Sequence, residues 1–471
     1  GVPIEVALGS LDEESGRIWE RLGRSLERGD DPVLNDAAPW LIGPPWEASL
    51  TRHDAANRLH KYMLRVSSQV ARLQKRVDRS LLPRDEWEAL REQLYQGQGA
   101  LALDPREGLR DSALRHAAWL ALTIADHRAR VLLGRLDHLQ YKLMDVAAEG
   151  EDAVEVASPS MRALVRPLAG GSISELQLWG VGNLVNTFSR QRETWFAALE
   201  TNSRLPSLVQ QSASGPDVVI DAGSTEVTGI EEDLLSDPWP SVPDLPPIEG
   251  LNDAMMTTDR HRRLLFQDHF LGPQTSLANL VLGQPPEDGD FVDAPYQLIR
   301  AEREEDDVVV TLARDGLVTV GTQRRLVRID KRYHFKARSG AIRLEYQISN
   351  RYQEPIQTRF GVELNLNLDG QLSSSRYLLL GEDRRRIALH RVGSREDTGK
   401  LSIHWEDLGA GLEIGCSEPA TVYFFPVFSP FRHSSGYRRG HQGTCLMLVW
   451  PLEMWGSERK RIELVVSPIK H

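Results

Sequence analysis

The spacing of apolar residues divides the chain into two textures. From Asp54 onward they recur every three or four positions. Leu59, Met63, Val66, Val70, Leu73 and Val77 fall on one stripe flanked by charge, which predicts a long amphipathic helix. Pro83 ends it and opens a second helix with the stripe Trp87, Leu90 and Leu94. A third helix is predicted from about Glu107 to Leu136, with Ala113, Ala117, Leu120, Ile124 and Val131 facing inward. His127, on that stripe, reads as a core histidine. Three helices joined by short turns predict a small antiparallel bundle.

After Leu136 the period falls to two. "HLQYKLMDV", "AVEVAS" and "RALVRPL" are short β-like segments, and "AGGS" is a turn. A polar, helical patch is expected at 183–200. From Leu264 to Ser467 strand signals recur roughly every 8–12 residues, among them "DDVVVTLAR", "RLVRIDKRYHF", "AIRLEYQIS", "FGVELNLNL", "TVYFFPVF" and "TCLMLVWPL". So many strands without αβ alternation predict an α+β protein: a helical bundle followed by a large antiparallel β-sandwich. In "FGVELNLNL", Val362, Leu364, Leu366 and Leu368 form a greasy face. Glu363, Asn365 and Asn367 form the opposite face, which is expected either to be wet or to grip a sugar.

Composition refines this picture at three points. A chain of 471 residues, 41% of them hydrophobic, exceeds one ordinary core, so two or more domains are expected. No apolar run approaches the roughly 20 residues of a membrane span, and the first residues lack a secretory pattern. The first residue is not Met, so sequence is expected to be missing upstream. Two cysteines, Cys416 and Cys445, make neither a disulfide framework nor a metal cluster and suit a reducing, cytoplasmic setting. The net charge of −11 is matched by eleven acids between Arg204 and Arg260, a stretch without Lys or Arg. Residues 205–258 therefore read as a flexible acidic insertion, with Trp239 as a loop aromatic. Neither a basic face for nucleic acid nor a membrane segment is present.

"AANRLHKYMLRVS" (55–67) resembles a helix in the 4-alpha-glucanotransferase and alpha-amylase group of glycoside hydrolase family 57. Asn57, His60, Lys61, Met63, Leu64, Val66 and Ser67 carry the pattern. "RALVRPLAGGSISELQLWGVGNLVNTFSRQRE" (162–193), "FQDHFLGP" (266–273), "GDFVDAPY" (289–296), "FGVELNLNL" and "HQGTCLMLVWPL" (441–452) resemble its later landmarks in order. The resemblance covers roughly 51–471.

It implies a catalytic barrel followed by a helical bundle and makes the sandwich a large antiparallel β super-sandwich of the galactose-mutarotase-like kind. Residues 1–50 then read as a connector or degenerate end of the barrel, 51–136 as the bundle and 137–471 as the sandwich. The two catalytic carboxylates of a retaining glycosidase belong to the barrel in that family, so no catalytic residue is assigned here. The implied partners are an α-glucan or maltooligosaccharide and a barrel in the same gene product.

Asn57, His60 and Lys61 stand within one helical turn of each other and are candidates for contacting glucan or bracing the barrel. Glu363, Asn365, Asn367 and Trp405 are further candidates for sugar contact, Trp405 by ring stacking. His269 follows Asp268; the pair reads as a turn or strand-end hydrogen bond, with a carboxylate-oriented imidazole as the alternative. No HExxH, Cys-x-x-Cys or glycine-rich phosphate loop occurs, so no metal or cofactor is expected. Gln98 is followed by "GALALDPREGLRDSALRH" where the family has a Tyr-Trp-His-Gly element, which supports a second reading as a non-catalytic, decayed relative. A third reading makes the sandwich a sugar epimerase, with Glu363 as base and His334 as acid.

Overall fold

The computed structural model describes residues 50, 52–76, 83–104, 108–136, 138–191, 217–221, 255, 257–337, 339–433 and 436–470. The segment 1–49, nearly all of the acidic stretch 205–258 including Trp239, and the second half of the patch at 183–200 lie outside them.

The first described helix, α1 (Asp54–Arg76), keeps the predicted stripe as far as Leu73 with one change: Tyr62 joins Leu59, Val66, Val70 and Leu73 in the core while Met63 packs at its border, and Val77 lies outside the described residues. Helix α2 (Arg84–Gly97) follows Pro83 and buries Leu90 and Leu94. Helix α3 (Ser112–Leu132) starts later than predicted, where Asp111 caps it by accepting from the backbone N–H groups of Ala113 and Leu114.

Its buried face is also rotated from the predicted one. Ala118, Trp119, Leu122, Ala125 and Ala129 point inward, whereas Ala117 and Val131 are exposed. The reason is that α3 packs against the bundle on one side and the sheet on the other. Its sheet side buries Arg115, His116, Asp126 and Arg130, residue types that an amphipathic reading assigns to solvent. His127 is half-buried and stacks on Trp179, with ring centroids 5.0 Å apart.

The rest is strand. In order these are β1 (Gln140–Met144), β2 (Ala153–Ala157), β3 (Met161–Arg166), β4 (Ser172–Leu178), β5 (Gly182–Asn183), β6 (Asp217–Asp221) and β7 (Leu265–Leu271). A short helix, α4 (Leu277–Val281), precedes β8 (Gln297–Glu304), β9 (Asp307–Val320), β10 (Gln323–Phe335), β11 (Ile342–Asn350) and β12 (Ile356–Leu366). Then come β13 (Arg376–Leu380), β14 (Ile387–Ala388), β15 (Arg391–Trp405), β16 (Ala410–His433), β17 (Gly436–Met454) and β18 (Arg459–Lys470). Every ladder between them is antiparallel, and together they enclose a large hydrophobic core running from Leu139 to Val466, with a smaller cluster around Leu271, Phe425, Cys445 and Met447. The fold is the expected α+β arrangement of bundle and antiparallel super-sandwich.

Bundle and sheet are joined by buried polar contacts as well as by packing. Arg58 donates to the Ser174 carbonyl at 2.7 Å, Arg115 to Asn186, and Asn367 to the Ser112 hydroxyl at 2.6 Å. Deeper in the seam, Arg130 bonds Asp126 on its own helix and Glu155 on β2. Arg162 on β3, fully buried, spans Glu155 and Glu175. Burial pushes the Glu155 carboxyl up, but Arg162, Arg130 and Arg65 outweigh it and hold it ionised, far below the usual carboxylate range.

Candidate functional site

Strand β12 lies between β7 and β17, hydrogen-bonded along both edges. Its apolar face, Val362, Leu364 and Leu366, is core as the alternation predicts. The polar face is not wet: Glu363, Asn365 and Asn367 are each at most 3% exposed. Antiparallel register sets Gly361 opposite His269 and Glu363 opposite Gln267, so His269 and Glu363 share a face. A Cβ at Gly361 would stand 3.3 Å from the His269 Cβ and 3.1 Å from Leu271 Cδ1. The glycine leaves the imidazole room to lean toward Glu363.

The Glu363 carboxylate is enclosed by four nitrogen-bearing side chains. Oε1 accepts from Arg263 at 3.2 Å and from Asn365 at 2.7 Å. Oε2 faces His261 Nε2 at 3.0 Å and His269 Nε2 at 2.9 Å. His269 Nδ1 in turn meets Glu287 Oε2 at 2.7 Å, and Glu287 Oε1 accepts the backbone N–H of Phe270. Arg263 is fixed from behind by Asp259, which takes hydrogen bonds from its Nε and Nη2 and from Arg190. Asp259 closes the acidic run, so this acid of that run is spent on two arginines.

These contacts set the charges. Burial pulls the His269 imidazole down, but Glu287 and Glu363 outweigh it and raise it to about 10. Burial pushes the Glu363 carboxyl up, and His261, His269 and Arg263 hold it well below the ordinary value. A base held ionised by its neighbours, beside an acid that keeps its proton to pH 10, is poorly matched to proton transfer at neutral pH. The cluster borders a cavity of about 400 Å³ lined by His261, His269 and Glu287 together with Asp290, Phe291 and Arg314.

Residues 248–464 match the family model "Alpha-amylase/4-alpha-glucanotransferase, C-terminal". That segment is similar to the C-terminal domain of alpha-amylases and 4-alpha-glucanotransferases. Alpha-amylase 1 of Dictyoglomus thermophilum is 23% identical over 450 residues, covering 94% of this chain and 57% of that protein. The 4-alpha-glucanotransferase of Thermococcus kodakarensis is 27% identical over 199 residues, 41% of this chain and 25% of its own length. The crystal structure of 4-alpha-glucanotransferase from Thermococcus litoralis shares the fold, with a TM-score of 0.65 at 20% identity over 99% of this chain and 57% of its own. The chain thus spans little more than half of its longest-matching relatives.

All members of the His261–Glu363 cluster fall inside the matched residues 248–464. Asn57, His60 and Lys61 precede it, on α1. Asn57 is buried, and its amide donates to the Ala147 carbonyl and to Glu149. His60 and Lys61 are half-exposed. Trp405 ends β15 in the sandwich core at 2% exposure, so it offers no ring face for stacking.

His334, the acid of the epimerase reading, is on β10 beside Glu345 at 3.6 Å and does not join Glu363. His261 and His269 stand there instead. Asp268 does not orient His269 either. It accepts from Lys331, Tyr296 and Tyr346 on the other face of β7, because successive strand residues point to opposite sides. Glu287, the partner of His269, left no signal in the sequence, and His261 and Arg263 were not expected as partners of Glu363. Their only signal was the density of His and Arg in "DRHRRL" (259–264) ahead of a strand.

Proposed function

We propose that this chain is the C-terminal accessory region of a retaining α-1,4-glucan-active enzyme of the glycoside hydrolase family 57 kind, either a 4-alpha-glucanotransferase or an alpha-amylase. Residues 51–136 and 137–471 act as bundle and sandwich units, and 1–50 lead from a barrel that supplies the catalytic carboxylates. Two free cysteines, one buried and one half-buried, accord with a cytoplasmic setting.

The observation that carries the reading is the way α1 is mounted. Its inner side is fixed to the sandwich by Arg58 and Asn57, and half-exposed His60 and Lys61 stand a turn or less away. Burial and the Lys61 charge lower the His60 pKa, so at neutral pH it is an uncharged imidazole suited to sugar hydroxyls or barrel loops. A rigid helix presenting two such groups is a brace with a glucan contact. Affinity electrophoresis in gels containing amylose tests this. The chain is expected to be retarded, and a His60→Ala/Lys61→Ala variant to run as in plain gel. Equal mobility of both proteins would refute the contact.

The decayed-scaffold reading predicts the same binding but differs upstream: an intact barrel with both carboxylates favours the enzyme, a degenerate one the scaffold. The epimerase reading draws support from His261, His269 and Glu363 beside a cavity, yet the mutual ion pairing works against it. Anomer interconversion by the chain, abolished in Glu363→Gln, would establish it.

A further inference from the structure

The Glu363 cluster has the composition and spacing of a metal centre with an open coordination position. His261, His269 and Glu363 each offer one ligand atom, and the three atoms lie within 4.8 Å of one another. Glu363 Oε2 is 3.0 Å from His261 Nε2 and 2.9 Å from His269 Nε2. Tetrahedral N and O ligands at about 2.0–2.1 Å from a zinc ion stand roughly 3.3 Å apart, so a shift of a few tenths of an ångström opens the space for one.

The surroundings match as well. A carboxylate only accepts, so Glu287 at 2.7 Å obliges His269 to donate from Nδ1. In its neutral form His269 then turns a lone pair from Nε2 onto Glu363 Oε2, and two lone pairs at 2.9 Å require a cation between them, a second proton or a metal. The Glu287–His269 pair is the carboxylate–imidazole arrangement that orients metal-ligating histidines. Arg263 and Asn365 hold the other Glu363 oxygen, which fixes Oε2 without using it. With both imidazoles neutral, Asp259, Glu287 and Glu363 outnumber Arg190 and Arg263 by one charge. Two ligands sit on hydrogen-bonded strands, and His261 borders the cavity, which gives entry and a fourth position for water or a ligand oxygen.

We propose that His261 Nε2, His269 Nε2 and Glu363 Oε2 bind one divalent transition-metal ion of the zinc class, with the fourth position facing the cavity. Imidazole and carboxylate donors suit that class rather than calcium or magnesium. The site is independent of whether the chain serves a glucan enzyme.

The test uses the whole chain, freed of metal with a chelator and titrated with CoCl2, then with ZnCl2. The expected result is one Co2+ per chain with the intense visible absorption of a four-coordinate ion, displaced by an equal amount of Zn2+. Glu287→Gln is expected to weaken binding roughly 10–100-fold, as outer-sphere losses do. His261→Asn, at a half-exposed position, is expected to weaken it at least as much while the circular dichroism spectrum stays unchanged. Absence of stoichiometric Co2+ absorption, or binding unaffected by His261→Asn, overturns the proposal and leaves a cluster held by protons alone.

Discussion

His269 on β7 and Glu363 on β12 meet across one antiparallel ladder, Nε2 to Oε2 at 2.9 Å, with both side chains almost fully buried. Ladder register brings two residues 94 positions apart into a buried charge pair. Stability of the metal-free chain should therefore depend on pH in a defined direction. His269 is raised from 6.5 to about 10, so the folded chain keeps a proton that the unfolded chain loses in between. That stabilisation is complete below about pH 6.5 and is lost as pH climbs through 10. Glu363 is lowered from 4.5, so its contribution is present above that value and is lost as pH falls. Urea midpoints are expected to fall steadily from pH 6.5 to 10, and His269→Gln to flatten that limb.

Arg263 holds Asp259 with two guanidinium nitrogens and Glu363 with a third. Removing it leaves buried Asp259 with Arg190 alone and buried Glu363 with the two histidines alone. Arg263→Met is expected to cost about 3–5 kcal/mol, the range for breaking a buried pair from one side. Urea unfolding measures it, and a loss under 1 kcal/mol would mean that the carboxylates find other partners.

At the seam, Glu155 on β2 faces Arg130 of α3 and Arg162 of β3. Glu155→Gln is expected to destabilise the protein by about 3 kcal/mol. Because α3 joins both layers, hydrogen exchange should accelerate in α3 and in β2 together. Acceleration in only one of them would show that bundle and sandwich open independently.

Trp405 is a core residue in this structure. Trp405→Phe is expected to lower the melting temperature while leaving retardation in amylose gels unchanged. Loss of retardation at unchanged stability would restore it as a sugar contact.

The sequence disclosed the helices, most of the strands and the family resemblance, because each leaves a local period or an ordered string of motifs. The phase of α3 was hidden, since Arg115, Asp126 and Arg130 look like solvent residues until the sheet supplies their partners. The polar face of β12 was hidden for a related reason. Alternation distinguishes the two sides of a strand but does not reveal a layer of charge covering the second side. The His261–His269–Glu363 cluster depends on strand pairing and a loop, neither of which has a sequence period.

On the function proposed above, this chain supports glucan chemistry without performing it. Incubating the chain alone with maltoheptaose and following the oligosaccharides by chromatography tests that directly. The account predicts a single unchanged peak. Shorter products, or a ladder of shorter and longer ones, would contradict it.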